Sequence, residues 1–314
     1  MGRGHAVSPA LGGLGRGAVR GVRGPIQGAP ASRGIRRPAG CGCRRLAVAG
    51  RGGLLRLPGV PGDSLKISAN RMTENANEFR VMTSGAFTAA HLALIPQLER
   101  LTKKKIVTAS TSIGTGESSI PNRLKRGEVV DLVIVAEPVL RQFIADGLVL
   151  AEGHAILARS GIAMAVREGA PKPDISSVGA LRNTLLKATS IGYSASVSGE
   201  YLTTELVQRL GIADQVLGKC RFVGGGERVG AVVARGELEI GFQQLSELLP
   251  VPGIAHITPL PPEVQKVSSF AAGVAASSPD KALARPVIEF LASPAAAQAI
   301  ADSGLEPILN RGRL

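Results

Sequence analysis

From Phe79 onward the apolar positions follow two alternating periods. "FRVMTSGAF" has the short spacing of a strand, and "FTAAHLALIPQLERLT" places apolar residues at helical intervals. "KKIVTAST" returns to a strand. "SSIPNRLKRGE" predicts a helix with Ser119 as its candidate cap and Pro121 near its first turn. "VVDLVIVAE" is a nearly continuous β-branched run, the pattern of a strand covered on both faces. "PVLRQFIADGLV" reads as a helix closed by Gly147.

A second series follows the strand and the Pro/Gly connection of "SGIAMAVREGAPKPD". "LLKATSIGYSA" leads into "GEYLTTELVQRLGIADQV", "KCRFVGGG" into "ERVGAVVARGE", and then comes "LEIGFQQLSEL". A strand "VSSFAAGVAA" and two terminal helices complete the pattern. Such β/α alternation predicts parallel sheets flanked by helices, arranged as two α/β units. The chain is expected to cross between the units near Ser160–Val166 and again near Ser268–Ala275. Two crossings make a hinge, and bilobed α/β proteins hold ligands in the cleft between lobes. The predicted division is a tail over 1–76, one lobe from 77–162 with 266–314, and a second lobe over 163–265.

Ligands of such sheets sit beyond the carboxyl ends of the strands, which singles out four loops. "TSGAFT" offers small residues and a helix N-terminus, favourable to an anion, at Thr83, Ser84, Gly85 and Ala86. "STSIGTGESSIP" is rich in hydroxyls, among them Ser118 and Ser119, but also carries Glu117, which would repel an anion unless turned away. "GYSASVSGEY" has three serines before a helix; Ser198 is its candidate N-cap, and the other two exceed what a cap needs. "GGGERVG" has flexible backbone followed by Arg228 in a first helical turn, where a cation opposes the helix dipole unless it faces an anionic ligand or pairs with Glu227. Gln243 and Gln244 end the strand that follows, where amides can donate to oxygens.

Composition changes this picture little. The 314 residues carry 37 Lys and Arg against 24 Asp and Glu, a formal net charge of +13. Residues 1–71 hold 13 of those basic residues and one acidic residue, Asp63, so the remainder carries 24 basic and 23 acidic residues. The basicity therefore belongs to the tail. Its Gly, Arg, Ala and Pro content predicts disorder, and no aromatic residue is interleaved to support nucleic-acid binding. Met72 is an alternative natural start. The tail contains no clear signal peptide, because Arg51 and Arg56 interrupt its apolar stretch. Cys41 and Cys43 form a lone C-x-C, and Cys220 stands by itself; no metal cluster is evident. No His lies in a nucleophile motif, and "GTGESS" and "GGGERVG" lack the Lys of a P-loop.

The order of "VMTSGAFTAAHLALIPQLER", "SSIPNRLKRGEVVDLVIVAEPVLRQFIADGLV", "GYSASVSGEYLTTELVQRLGIADQV" and "ERVGAVVARGELEIGFQQLSEL" resembles the periplasmic molybdate-binding protein family, type II bilobed solute-binding proteins of ABC transporters. The middle segment carries the most specific part, with Arg123, Gly127, Asp131 and Ile134 in the spacing R-x-x-x-G-x-x-x-D-L-x-I. The resemblance implies a two-lobed periplasmic-binding-protein type II fold that binds a small anion. It also implies no catalysis and no cofactor, a permease partner and a periplasmic location, with a cytoplasmic sensor as the alternative. The family's neutral donors map to Ala86 or Ser84, Ser118 and Ser198, its fourth contact to Arg228, and its tyrosine to Gln243 or Gln244. The guanidinium of Arg228 departs from neutral-donor sites and suits a carboxylate. A small organic acid is therefore expected, with molybdate or tungstate as the alternative. An enzyme using Glu117 or Glu227 as a base is the third, disfavoured reading.

Overall fold

The structure, a computed structural model, describes residues 77–309. The tail read as disordered, Met72, Cys41 and Cys43 lie outside the described residues. Strands β1 (Glu78–Thr83), β2 (Lys105–Ser110), β3 (Leu132–Ala136), β4 (Ala155–Ser160), β5 (Ile162–Arg167), β6 (Ile191–Ser194), β7 (Cys220–Val223), β8 (Ile240–Gln244), β9 (Ile254–Pro259), β10 (Ser268–Val274) and β11 (Glu306–Pro307) form two sheets. Their orders are β11-β4-β10-β3-β1-β2 and β7-β6-β8-β5-β9. The helices nearest the cleft are α1 (Gly85–Thr102), α2 (Ile120–Lys125), α3 (Val197–Glu200), α4 (Val229–Ala234) and α5 (Leu245–Leu248).

The two-sheet α/β architecture is the expected one, but neither sheet is purely parallel. β1 runs parallel to β2 and β3, and β6 runs parallel to β7 and β8, as helical crossovers require. β10 is antiparallel to β3 and β4, and β5 to β8 and β9. The antiparallel pairs involve the strands that flank the two crossings, β4 to β5 and β9 to β10. These strands are linked from one sheet to the other, so no crossover helix sets their direction.

Each sheet has its own apolar core, one built around Phe79, Phe87, Leu94 and Leu132, the other around Tyr201, Leu206, Ile240 and Phe242. β3 is buried along its whole length, as its β-branched run predicts. Asp131, the acid of the family-like spacing, has a structural task. Its carboxylate accepts from Arg80 N at 2.8 Å and from Ser278 Oγ at 2.8 Å, tying β1 to the segment after β10.

The crossings are tied to each other. Gly161 alone separates β4 from β5, and the Gln265 amide clamps the next residue, accepting from Ile162 N at 2.8 Å and donating to Ile162 O at 3.0 Å. The Gln244 amide lies 3.2 Å from Ser268 Oγ. Turned so that its oxygen accepts from that hydroxyl, it donates to Ser160 O at 3.0 Å and Gly161 O at 3.2 Å. Two glutamines thus join the outgoing and returning strands. The helix read from "GEYLTTELVQRLGIADQV" is interrupted by a π-helical stretch, Tyr201–Leu206.

Gly199 sits where α3 meets the end of β6, and a Cβ there would lie 2.0 Å from Ser194 O, a backbone atom that cannot swing away. Gly199→Ala is expected to cost on the order of 2–4 kcal/mol in a urea titration. Stability equal to the parent would contradict this packing.

Candidate functional site

Between the two sheets lies a cavity of about 490 Å³, walled by the loops at the carboxyl ends of β1, β2, β6, β7 and β8. From the first sheet come Ser84, Gly85 and Ala86, with the loop from Thr111 to Gly116 and Ser118. The second sheet contributes Ser194 to Val197, Phe222 to Arg228, Gln243 and Gln244. The two sides meet closely, since a Cβ on Gly114 would lie 3.0 Å from Ala195 Cβ.

Ser84 occupies the N-cap position of the 18-residue α1 without making a side-chain cap bond, and its Oγ is buried with no partner among the described residues. A buried, unpaired hydroxyl beside the first-turn N–H groups of a long helix is a place for an anionic oxygen. The second loop is held by side chains that grip its carbonyls: Thr111 Oγ1 donates to Ser118 O at 2.8 Å, and Asn122 Nδ2 donates to Thr115 O at 2.8 Å. Glu117 is exposed and does not line the cavity, so its charge is turned away. In the third loop the cap is Ser196, which accepts from Gly199 N at 3.4 Å and contacts Ser194 Oγ at 3.2 Å and Ser198 Oγ at 2.9 Å.

Arg228 is the N-cap residue of α4, exposed, and borders the cavity. The alternative pairing with Glu227 is not formed; Glu227 meets Arg235 at 2.7 Å. Gln243 is buried and oriented from both ends. Its Oε1 accepts from Gly230 N at 3.4 Å, and its Nε2 donates to Glu247 Oε1 at 3.3 Å.

Glu247 is the residue missing from the sequence reading. It stands in the first turn of α5, three residues after the N-cap Gln244, and its carboxyl presses against the start of α1. A Cβ on Gly85 would lie 2.2 Å from Glu247 Oε1, so glycine is what permits the approach. The surface Glu247 retains opens onto the cavities that it lines. Burial pushes its carboxyl up to about 7, against the opposing pull of the Gln244 backbone N–H and Arg228. A carboxyl at that value exchanges a proton near neutrality. The only sequence signal was the Gln-x-x-Glu spacing at a helix start, which by itself marks a capping arrangement.

Of the expected site residues, Ser84, Gly85, Ala86, Ser118, Arg228, Gln243 and Gln244 border the cavity. Thr83, Ser119 and Ser198 do not, and the structure corrects their placement. Thr83 is buried in β1 and donates to Ser84 O at 3.1 Å. Ser119 is fully buried at the N-cap of α2, and Ser198 is fully buried behind Ser196 inside α3. Gln244 reaches the cavity wall while its amide serves the crossings. Ser112, Ser194 and Ser196, hydroxyls of the second and third loops not assigned as contacts, line the cavity together with Phe222. His91 is buried, paired with Thr108 Oγ1 at 2.8 Å, and lowered to about 4 by desolvation, outside the site. No cluster of metal-ligating side chains occurs among the described residues.

The family described as bacterial extracellular solute-binding protein matches residues 79–306. The aconitate isomerase of a Pseudomonas species is 42% identical over 229 residues, covering 73% of this chain and 87% of that one. The periplasmic molybdate-binding protein of Azotobacter vinelandii superposes with a TM-score of 0.59 at 17% identity, over 74% of this chain and all of that one. A sulfate-binding protein of Mycobacterium tuberculosis gives 0.57 at 15% identity, over 74% and 87%. At those identities the two structures establish the type II binding-protein fold. The isomerase overturns the expectation that this chain is no enzyme, since a relative at 42% identity is named for a reaction.

Glu247→Gln should separate burial from charge. Because the folded carboxyl sits above its ordinary value, the native state holds the extra proton between about pH 4.5 and 7, and stability falls as pH rises through that window. The neutral amide removes this loss. We expect the variant to gain on the order of 1–3 kcal/mol over the parent at pH 8 and little at pH 4.5, measured by denaturant unfolding. An equal effect at both values would contradict the buried acid.

Proposed function

The chain belongs to the family of bacterial extracellular solute-binding proteins, and from that premise we propose that its cleft takes a small polycarboxylate of the aconitate type and isomerises it by moving one proton. The observation that carries this reading is Glu247, a carboxyl held against Gly85 and Gln243 and raised by burial to about 7, in a cavity that also presents a guanidinium and the unpaired hydroxyl of Ser84.

Aconitate is a propene bearing three carboxylates, and its methylene C–H is both allylic and adjacent to a carboxylate. Ionised Glu247 removes that proton. The electron pair of the broken C–H bond spreads over the allylic carbons and onto carboxylate oxygen. Glu247 then returns the proton to the far carbon, the double bond moves by one position, and the other geometric isomer results. One C–H bond breaks and one forms, so the step balances with a proton alone. Arg228 offers a fork to a carboxylate. Ser84 Oγ and the start of α1 face the oxygens on which negative charge accumulates. Gln243, fixed by Gly230 N, orients the Glu247 carboxyl. A cavity of about 490 Å³ is roomy for a tetrahedral oxyanion and falls in the ~300–1,000 Å³ range of organic-ligand sites.

The ligand contacts proposed from the sequence reduce in this account to Ser84, Gly85, Ala86, Ser118, Arg228 and Gln243. Family membership favours a periplasmic location and, as a second reading, delivery of the bound acid to an ABC permease without turnover. On mixing the protein with trans-aconitate, proton NMR should show cis-aconitate accumulating, with a rising limb of kcat/KM near pH 7 as Glu247 ionises. Glu247→Gln should lower kcat by about 10²–10⁴-fold while the ligand still raises Tm. Thermal stabilisation by aconitate with no conversion of either isomer would favour the receptor. Stabilisation by molybdate and not by aconitate would overturn the substrate class.

A further inference from the structure

A second, smaller cavity of about 90 Å³ lies behind the first, and Gly85, Arg228 and Glu247 border both. They form a shared partition with the carboxyl of Glu247 in it. The small cavity is also lined by Leu92 and Pro250, both exposed, which places it at the protein surface. Ser246 also lines it; this residue is only 1% exposed, and its Oγ has no partner among the described residues. A cavity of about 90 Å³ has room for water beside the Glu247 carboxyl.

We propose that this rear cavity is a water port through which Glu247 exchanges its proton with solvent while substrate fills the main cleft. The inference rests on the proton-transfer reading above. With substrate in the cleft, the front of the Glu247 carboxyl is occupied. The rear cavity, which Glu247 also lines, remains on the other side. The proton taken from the substrate methylene becomes the proton of a neutral Glu247 carboxyl. The rear water accepts that proton while donating one of its own, so charge and atoms balance, and the proton returned to the far carbon comes from solvent. Without the port, the same proton would be carried from one carbon to the other. Its route also differs from the ligand contacts, because Ala89, Leu92, Ser246 and Pro250 belong to the rear cavity alone.

The test is isomerisation of trans-aconitate by the full chain in D₂O, with the deuterium content of early product read by mass spectrometry. The parent should place deuterium in most product molecules. Ala89→Leu, which fills the rear cavity from a helix surface that tolerates leucine, should lower the deuterium per turnover at least threefold. Ser246→Val provides an independent block from the opposite wall. Because the readout is deuterium per product formed, a change in rate alone does not move it. Product without deuterium from the parent, or unchanged incorporation in both folded variants, overturns the port and leaves the isomerase reading standing. Absence of any isomerisation removes that reading and the port with it.

Discussion

A carboxyl group pressed against the amino end of a long helix organises the cleft. Glu247 Oε1 sits where a side chain on residue 85 would begin, so the glycine permits the carboxyl's position. Holding that acid in a protein environment disfavours its charge, and Arg228 and the Gln244 backbone N–H offset the effect only in part. Gln243 links the carboxyl to Gly230 N, so β8, α4, α5 and the start of α1 converge on one ionisable group. Gly230 of "GGGERVG" and Gln243 of "FQQLSE" become intelligible once that group is in view.

A solute-binding scaffold suits this chemistry because its donors already face a cleft between two sheets. Helix N-termini and serine hydroxyls that hold an anion in the ground state also face the oxygens that gain charge as a C–H bond breaks. In the proposed reaction, one acid of matched proton affinity separates holding such a ligand from turning it over. The crossings serve both tasks. Gln265 and Gln244 tie the outgoing strand to the returning one, which keeps the two walls in register around the cavity.

Most of the architecture was legible in the sequence, because buried strands and amphipathic helices leave different periods. β3 lies within the β-branched run that marked it. The antiparallel pairs were not legible, since strand direction at a crossing depends on which sheet receives the chain. The loops were placed at the cleft for a general reason, the position of strand ends, but individual serines slipped. Ser198 was taken for the cap that Ser196 provides, because three serines at alternate positions look alike until the helix start is fixed. Glu247 was invisible for a stronger reason. An acid three residues into a short helix looks like an ordinary cap, and only the fold brings Gly85 and the cavity to it.

The chemistry of the cleft turns on Glu247 changing charge near neutrality in the folded protein. Carbon-13 NMR of glutamate side-chain carboxyls, with Glu247→Gln used to assign the resonance, measures this directly across pH 3 to 9. A midpoint at about 7 is expected for that resonance. A midpoint in the ordinary glutamate range, near about 4.3, would contradict it.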